Sequence, residues 1–328
     1  MIKSKLGAHL AMLCAGLLYG GSLVISNYVV DHPSMTPLAV VQIRSTATMI
    51  VFVAVGQWLS RGWVKGYKDL IRLILCGAFG ASINMIFFFE GLEKTSPLHA
   101  SLIMVTVPIV VLVFSRLFSQ ERISWQKVLG LCLGVAGTLL LLDTEASTTD
   151  QEATFRGDLF IVMNAIFYGF YLVLLKPLMK KYHPITVAKG LFLSGSLISL
   201  PFCYKSLVGT PFHTFSAEMW GGIAYVIIGA TVLTFFLNIA AMTRVNPSAV
   251  GYYVYVQPLF ASFLHVFMGK SAPTWAEICA AILIFSGVFL ISRRSPSKSP
   301  LKQRISSFRK SQDTQYHALS KQGQKGKE

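Results

Sequence analysis

The chain has 328 residues, 53% of them hydrophobic and only 13% charged, with a mean hydropathy of +0.58. Water-soluble domains carry about 25% charged residues, so composition excludes an ordinary soluble enzyme or binding module and points to one polytopic, all-α integral membrane domain. The net charge of +15 does not indicate nucleic acid, because the Lys and Arg residues are sorted between loops instead of forming one patch.

A bilayer core is crossed by about 20 apolar residues. Ten such stretches follow one another at about 7–30, 36–59, 70–91, 97–118, 124–142, 157–179, 185–206, 219–241, 247–268 and 274–292. Segment one follows Lys3 and Lys5 as a signal peptide would, but it is too long for one and has a counterpart in segment six. It is read as retained. Segment two carries Arg44, and segment three carries Asn84 and Glu90. Pro108 lies in the middle of segment four. Segment five contains Gly130, Gly134 and Gly137, and segment ten contains Ala276, Ala280, Ala281 and Gly287. Small residues at this spacing let helices approach closely in lipid, so these two read as matching packing helices. Pro258 occupies segment nine as Pro108 occupies segment four. Each proline removes a backbone donor and kinks its helix, which suits two bent gate helices or, equally, static packing kinks.

The segments are written twice. Pro97, Pro108, Trp125 and Gly137 recur 150 residues on as Pro247, Pro258, Trp275 and Gly287, and Tyr19-Gly20 recurs 149 residues on as Tyr168-Gly169. Five crossings per copy is an odd number, so the second copy enters from the opposite side. The expected fold is therefore ten transmembrane helices as two inverted five-helix repeats, the plan on which many secondary transporters build alternating access. The expected organisation is a first repeat over 1–142, an external acidic linker over 143–156, a second repeat over 157–292 and a basic, disordered cytoplasmic tail over 293–328. With both termini cytoplasmic, only Lys94, Arg156, Lys205 and Lys270 of the loop cations fall outside, as the positive-inside rule requires. The absence of an N-glycosylation sequon fits a bacterial inner membrane. In the tail, Leu301, Ile305 and Phe308 share a helical face beside Lys302, Arg304, Arg309 and Lys310. That stretch reads either as a contact for anionic lipid headgroups or as a solvated basic tail.

The five cysteines, Cys14, Cys76, Cys132, Cys203 and Cys279, lie in five different segments with no metal-ligand spacing. No metal, cofactor or catalytic residue is expected from the sequence. Arg44 is the first candidate for binding. A central arginine costs on the order of 3 kcal/mol to insert and needs a cavity or a partner; its planar fork suits a carboxylate. The alternative is an arginine satisfied by helix carbonyls or by Glu90. Tyr19, Asn84, Asn164, Tyr168, Asn238, Tyr253 and Gln257 are the uncharged polar residues expected to line a cavity, although membrane amides also bridge helices. Glu90 reads as an interfacial carboxylate, or else as a gate or coupling residue beside Pro108 and Pro258. His99 and His265 read as packing or locally bonded histidines.

Taken together, Leu17-Leu18-Tyr19-Gly20-Gly21-Ser22, Arg44, the stretch Thr95 to Ile103, Pro108, and Glu121 followed by Trp125 and the segment-five glycines resemble the EamA-type members of the drug/metabolite transporter superfamily. The resemblance covers about residues 7–292. It departs at Ser271, which stands where a second glutamate would match Glu121, and at Glu90, where a small residue is usual. It implies a carrier for a small organic metabolite. The expected solute is amino-acid-like or carboxylate-bearing, and membrane lipids are the other expected partners, with no nucleic acid. Competing readings are an integral-membrane enzyme acting on a lipid or prenyl substrate, a channel, and a non-transporting sensor or scaffold. The 14 acidic residues form no Asp-rich motif for the enzyme and no ring of charge for the channel.

Overall fold

In the computed structural model the described residues are 4–30, 32, 35–59, 62–145, 154–268 and 274–292. The middle of the expected linker (146–153), Lys270, Ser271, the tail 293–328 with its Leu301, Ile305 and Phe308 face, and the side chain of His265 lie outside them. Among the described residues there is no strand. The helices of the first half are α1 (Lys5–Val30), α2 (Pro37–Trp58), α3 (Tyr67–Gly77), α4 (Ile83–Leu92), α5 (Pro97–Met104), α6 (Val107–Phe118) and α7 (Trp125–Glu145). Those of the second are α8 (Phe155–Lys181), α9 (Pro184–Val208), α10 (Ala217–Ile227), α11 (Thr234–Ala241), α12 (Pro247–Tyr252), α13 (Val256–Phe267) and α14 (Trp275–Ser292).

The starts are written locally. Thr36 and Ser96 each accept a free first-turn backbone N–H of a helix that opens with proline, from Ala39 at 3.3 Å and His99 at 3.2 Å. Proline is tolerated there because its missing N–H has no intrahelical partner in any case. Among the described residues seven helical spans are long and apolar enough to cross a membrane: Pro37–Trp58, Tyr67–Leu92, His99–Phe118, Trp125–Leu142, Phe155–Lys181, Pro184–Val208 and Ala217–Ala241. Trp275–Ile291 is a shorter apolar helix. The protein is a multi-pass, all-α membrane protein.

Two kinds of break interrupt these spans, and each kind occurs once in each half. Between α3 and α4, Ala78–Ser82 widens to π geometry, and so does Ile228–Leu233 between α10 and α11. The two π-turns start 150 residues apart. Such turns leave carbonyls without their usual helical partner and are frequent at functional sites. The other break precedes each central proline. Helix α5 stops at Met104 and α6 resumes at Val107, whereas Tyr253–Tyr255 forms a 3₁₀ turn between α12 and α13. Pro108 thus sits in the first turn of α6, and Pro258 in the first turn of α13.

The halves interlock through like helices. Helix α2 packs on α9, and α7 packs on α14. Gly130 and Gly287 make the latter contact possible: a Cβ on Gly287 would stand 2.6 Å from the Gly130 carbonyl oxygen. Residues 150 apart also touch each other where the halves meet. The Thr46 and Ser196 hydroxyls are 2.9 Å apart. The Tyr255 hydroxyl donates to the carbonyl of Val105, at the α5–α6 break, at 2.8 Å.

Candidate functional site

A cavity lies between the halves at the level of the breaks. Its polar lining is Tyr19, Asn84, Asn164, Tyr168, Tyr171, Thr234, Asn238 and Gln257, and its apolar lining is Met85, Phe88, Met104, Val107, Phe235 and Val254. Among the described lining residues none carries a formal charge. A second cavity of about 230 Å³ shares Tyr19, Phe88, Met104, Val254 and Gln257 with the first. It extends past Pro258 to Leu92, Ala100 and Leu142, at the end of the molecule where α4 stops, α5 starts and α7 finishes.

The lining repeats with the chain. Asn84 and Thr234, Met85 and Phe235, Phe88 and Asn238, Met104 and Val254, and Val107 and Gln257 are each 150 residues apart, and both members of every pair line the first cavity. Tyr19 and Tyr168 follow at an offset of 149. The cavity therefore straddles the relation between the halves. Its chemistry does not repeat: Asn238 and Gln257 in the second half answer Phe88 and Val107 in the first. The second half thus contributes three of the four lining amides, Asn164, Asn238 and Gln257, and the first half contributes Asn84.

Asn84 and Asn164 clamp α4 to α8. Each side-chain amide donates to the other's backbone carbonyl, both at 2.9 Å. The clamp fixes which end of the Asn84 amide is committed, and its buried Oδ1 has no hydrogen-bond partner. A buried acceptor left in this way costs about 1–3 kcal/mol.

Of the residues expected to bind solute, Tyr19, Asn84, Tyr168, Asn238 and Gln257 come together in this lining, and Arg44 and Tyr253 are elsewhere. Arg44 is 7% exposed in α2. Its Nε donates to Thr231 Oγ1 at 3.1 Å, and its guanidinium lies 5.9 Å from the centre of the Phe89 ring. Thr231 in turn donates to the Val226 carbonyl at 2.7 Å, so the arginine closes onto the second π-turn. The neighbouring Ser45 donates to Ala81 in the first π-turn at 3.0 Å. Helix α2 thus docks on both turns. The Tyr19 side chain also reaches the guanidinium, which links Arg44 to the cavity through a residue that lines it. The Tyr253 hydroxyl pairs with His9 Nδ1 at 3.0 Å.

Glu90 does not meet Arg44. It pairs with Lys94 one turn on, at 2.5 Å, and remains partly exposed. His99 lies 3.1 Å from Asp158, the acid that opens α8. Sequence reasoning passed over Thr231 and Thr234, whose hydroxyls close the second π-turn. The signal for Thr234 was present: it stands 150 residues after Asn84. No cluster of three or more His, Cys, Asp and Glu that would hold a metal occurs among the described residues.

A family model described as the EamA-like transporter family matches residues 6–143 and again 155–293. The chain belongs to this family. Its EamA-like relatives include an uncharacterized transporter of Archaeoglobus fulgidus, 22% identical over 87% of this chain and 97% of that protein. The uncharacterized transporter YetK of Bacillus subtilis is 21% identical, covering 92% of each chain. A probable terminal-alkyne amino-acid exporter of Streptantibioticus cattleyicolor is 24% identical over 70% of this chain and 75% of its own length. A crystal structure with 23% sequence identity superposes with a TM-score of 0.72, covering 89% of this chain and all of that one. It shares the fold. The EamA-like match and these relatives make the protein a membrane transporter built from two repeats.

Proposed function

We propose that this protein is a secondary carrier of the bacterial inner membrane that moves a small, amphipathic, amino-acid-like metabolite by alternating access. Ten crossings form two inverted repeats, and both termini are cytoplasmic. The observation that carries this reading is the pairwise-repeated lining of the cavity. A site built from equivalent positions of two inverted halves remains in place while the halves rock around it, which is how such carriers expose one site to two sides.

The lining favours a solute without net charge. An unpaired ion would forfeit its hydration against neutral walls at a cost of several kcal/mol, whereas a zwitterion brings both charges with it. Asn84 Oδ1 accepts from an amino group, the phenol of Tyr19, held by Arg44, donates to a carboxylate, and the Phe88 wall takes the apolar remainder. Arg44 then acts as a positioning residue. Pro108 and Pro258, beside the breaks, let the gate helices bend, and Glu90 serves the interface. The amino-acid exporter among the relatives supports this substrate class.

The test is a thermal-shift screen of the purified full chain against amino acids, their deaminated analogues and decarboxylated amines. A ligand at a hundred times its dissociation constant stabilises by about 2.7 kcal/mol. Amino acids are expected to stabilise the wild type, and Asn238→Leu to lose the shift while melting normally without ligand. Equal stabilisation by the deaminated acids would overturn the assignment of substrate class.

A further inference from the structure

At the end of the molecule opposite the second cavity lies a buried polar cluster that the solute site does not use. Glu121 follows Gln120, the only non-glycine residue with positive φ (52°) among those described. That turn at the end of α6 directs the Glu121 side chain inward, where the residue is 6% exposed. Its Oε1 accepts from Lys127 Nζ and from Ser248 Oγ, both at 2.5 Å. Lys127 belongs to the first turn of α7, and Ser248 to the first turn of α12 in the other half. Beside them Lys176 of α8 donates to the carbonyls of Met242 (2.7 Å) and Val245, where α11 ends. Between this cluster and the cavity α12 and α6 are shut together: a Cβ on Gly251 would lie 2.9 Å from Val111.

We infer that Glu121, Lys127 and Ser248 form a latch that holds this end of the carrier closed and biases it toward the state open at the opposite end. The asymmetry between the halves carries the inference. If the halves exchange conformations during transport, the same latch would be needed at the other end to hold that end closed. The positions 150 residues away do not provide it. Ser248 corresponds to Leu98, which has no donor, Glu121 corresponds to Ser271, and Lys127 corresponds to the acid Glu277. Glu277 is engaged within its own half, by Ser262 Oγ and by the backbone N–H of Thr274 at 2.7 Å. The packing differs in the same sense. Gly251 is sealed against Val111, whereas its counterpart Ser101 lines the second cavity. Among the described residues this carboxylate–lysine–serine contact therefore exists at one end alone; at the other end the halves meet through a different contact, where Asp158 of α8 accepts from Thr95 and pairs with His99. In the orientation proposed above the latched end is cytoplasmic, so the resting carrier presents its site to the outside. The latch rests on the carrier reading, but its test does not require a known solute.

Spin labels on Arg122→Cys and Asn246→Cys, in a full chain whose native cysteines are replaced, report the separation of α6–α7 from α12 in lipid nanodiscs. The wild type is expected to give one short distance. Ser248→Ala removes a hydrogen bond to a buried carboxylate and should shift the closed-to-open ratio by about tenfold, adding a longer distance, while Ser248→Thr retains the hydroxyl and the short distance. Glu121→Gln should open the end further; if that variant does not fold, the Ser248 pair decides alone. A single unchanged short distance in a correctly folded Ser248→Ala protein overturns the latch. A chain that opens as described yet binds none of the screened metabolites retains the latch and loses the amino-acid reading.

Discussion

Arg44 is the residue on which sequence and structure part, and Thr231 decides between them. If the guanidinium is held by the π-turn, the two side chains are energetically coupled. Removing the hydroxyl in Thr231→Val takes away the acceptor that stands 3.1 Å from a buried, charged N–H. Hydrogen bonds to charged groups are worth about 1.5–3 kcal/mol in proteins. Between membrane helices measured values average about 0.6 and reach about 1.7. With Arg44 only 7% exposed and its acceptor on another helix, the upper part of the membrane range applies, giving a coupling of about 1–1.5 kcal/mol. Thr231 also bonds Val226, and the cycle cancels that part, because both Thr231→Val backgrounds lose it. Reversible unfolding of the full chain in mixed detergent–SDS micelles would measure wild type, Arg44→Gln, Thr231→Val and the double variant. The expected double-variant loss is smaller than the sum of the single losses by that amount. Additivity within about 0.3–0.5 kcal/mol, the behaviour of independent sites, would refute the clasp and return Arg44 to the solute.

The α7–α14 contact predicts opposite outcomes at two glycines. Gly287→Ala drives a methyl toward the Gly130 carbonyl oxygen at 2.6 Å and the Tyr252 hydroxyl at 1.8 Å and should cost about 1–3 kcal/mol, whereas Gly221→Ala in α10 meets nothing within 4 Å and should be neutral or stabilising by up to about 1 kcal/mol; melting curves that move together would contradict the close approach. Tyr255→Phe strips the hydroxyl from the carbonyl at the α5–α6 break and should lower stability by about 1 kcal/mol, read as a lower melting temperature that Phe88→Leu, on the cavity wall, does not reproduce.

Much of the fold was legible because membrane helices are written in composition and punctuation. The offset of 150 was readable from prolines and glycines, and those residues impose local consequences: Pro108 and Pro258 each stand just past a helix break, and Gly130 and Gly287 set a closest approach. The cavity was legible for the same reason, since an uncharged amide or phenol inside an apolar helix has few places to go. The π-turns were not legible. Ala78–Ser82 and Ile228–Leu233 contain no proline, and nothing in small apolar residues distinguishes a widened turn from an ordinary one. The partners of the charged groups escaped as well. Sequence alone leaves Glu90 as an interfacial carboxylate or as a partner for Arg44; it pairs with Lys94 one turn away, and the arginine takes a threonine nearly 190 residues on. Such choices depend on which helices are neighbours, and that information is not local.

The contacts between residues 150 apart bear on how such a chain can be taken apart. Two identical half-chains, paired antiparallel about a two-fold axis, would set each of these positions against its own copy. Thr46 would tolerate this, since one hydroxyl pairs with another as it does with Ser196. Val105 and Tyr255 would not. Two copies of the first half would leave the carbonyl at the break with an isopropyl group in place of a phenol, and two copies of the second would crowd two phenols into space made for one. Halves produced as separate polypeptides should consequently reconstitute only as an unlike pair, and the fused chain has given up the option of self-assembly from either half alone.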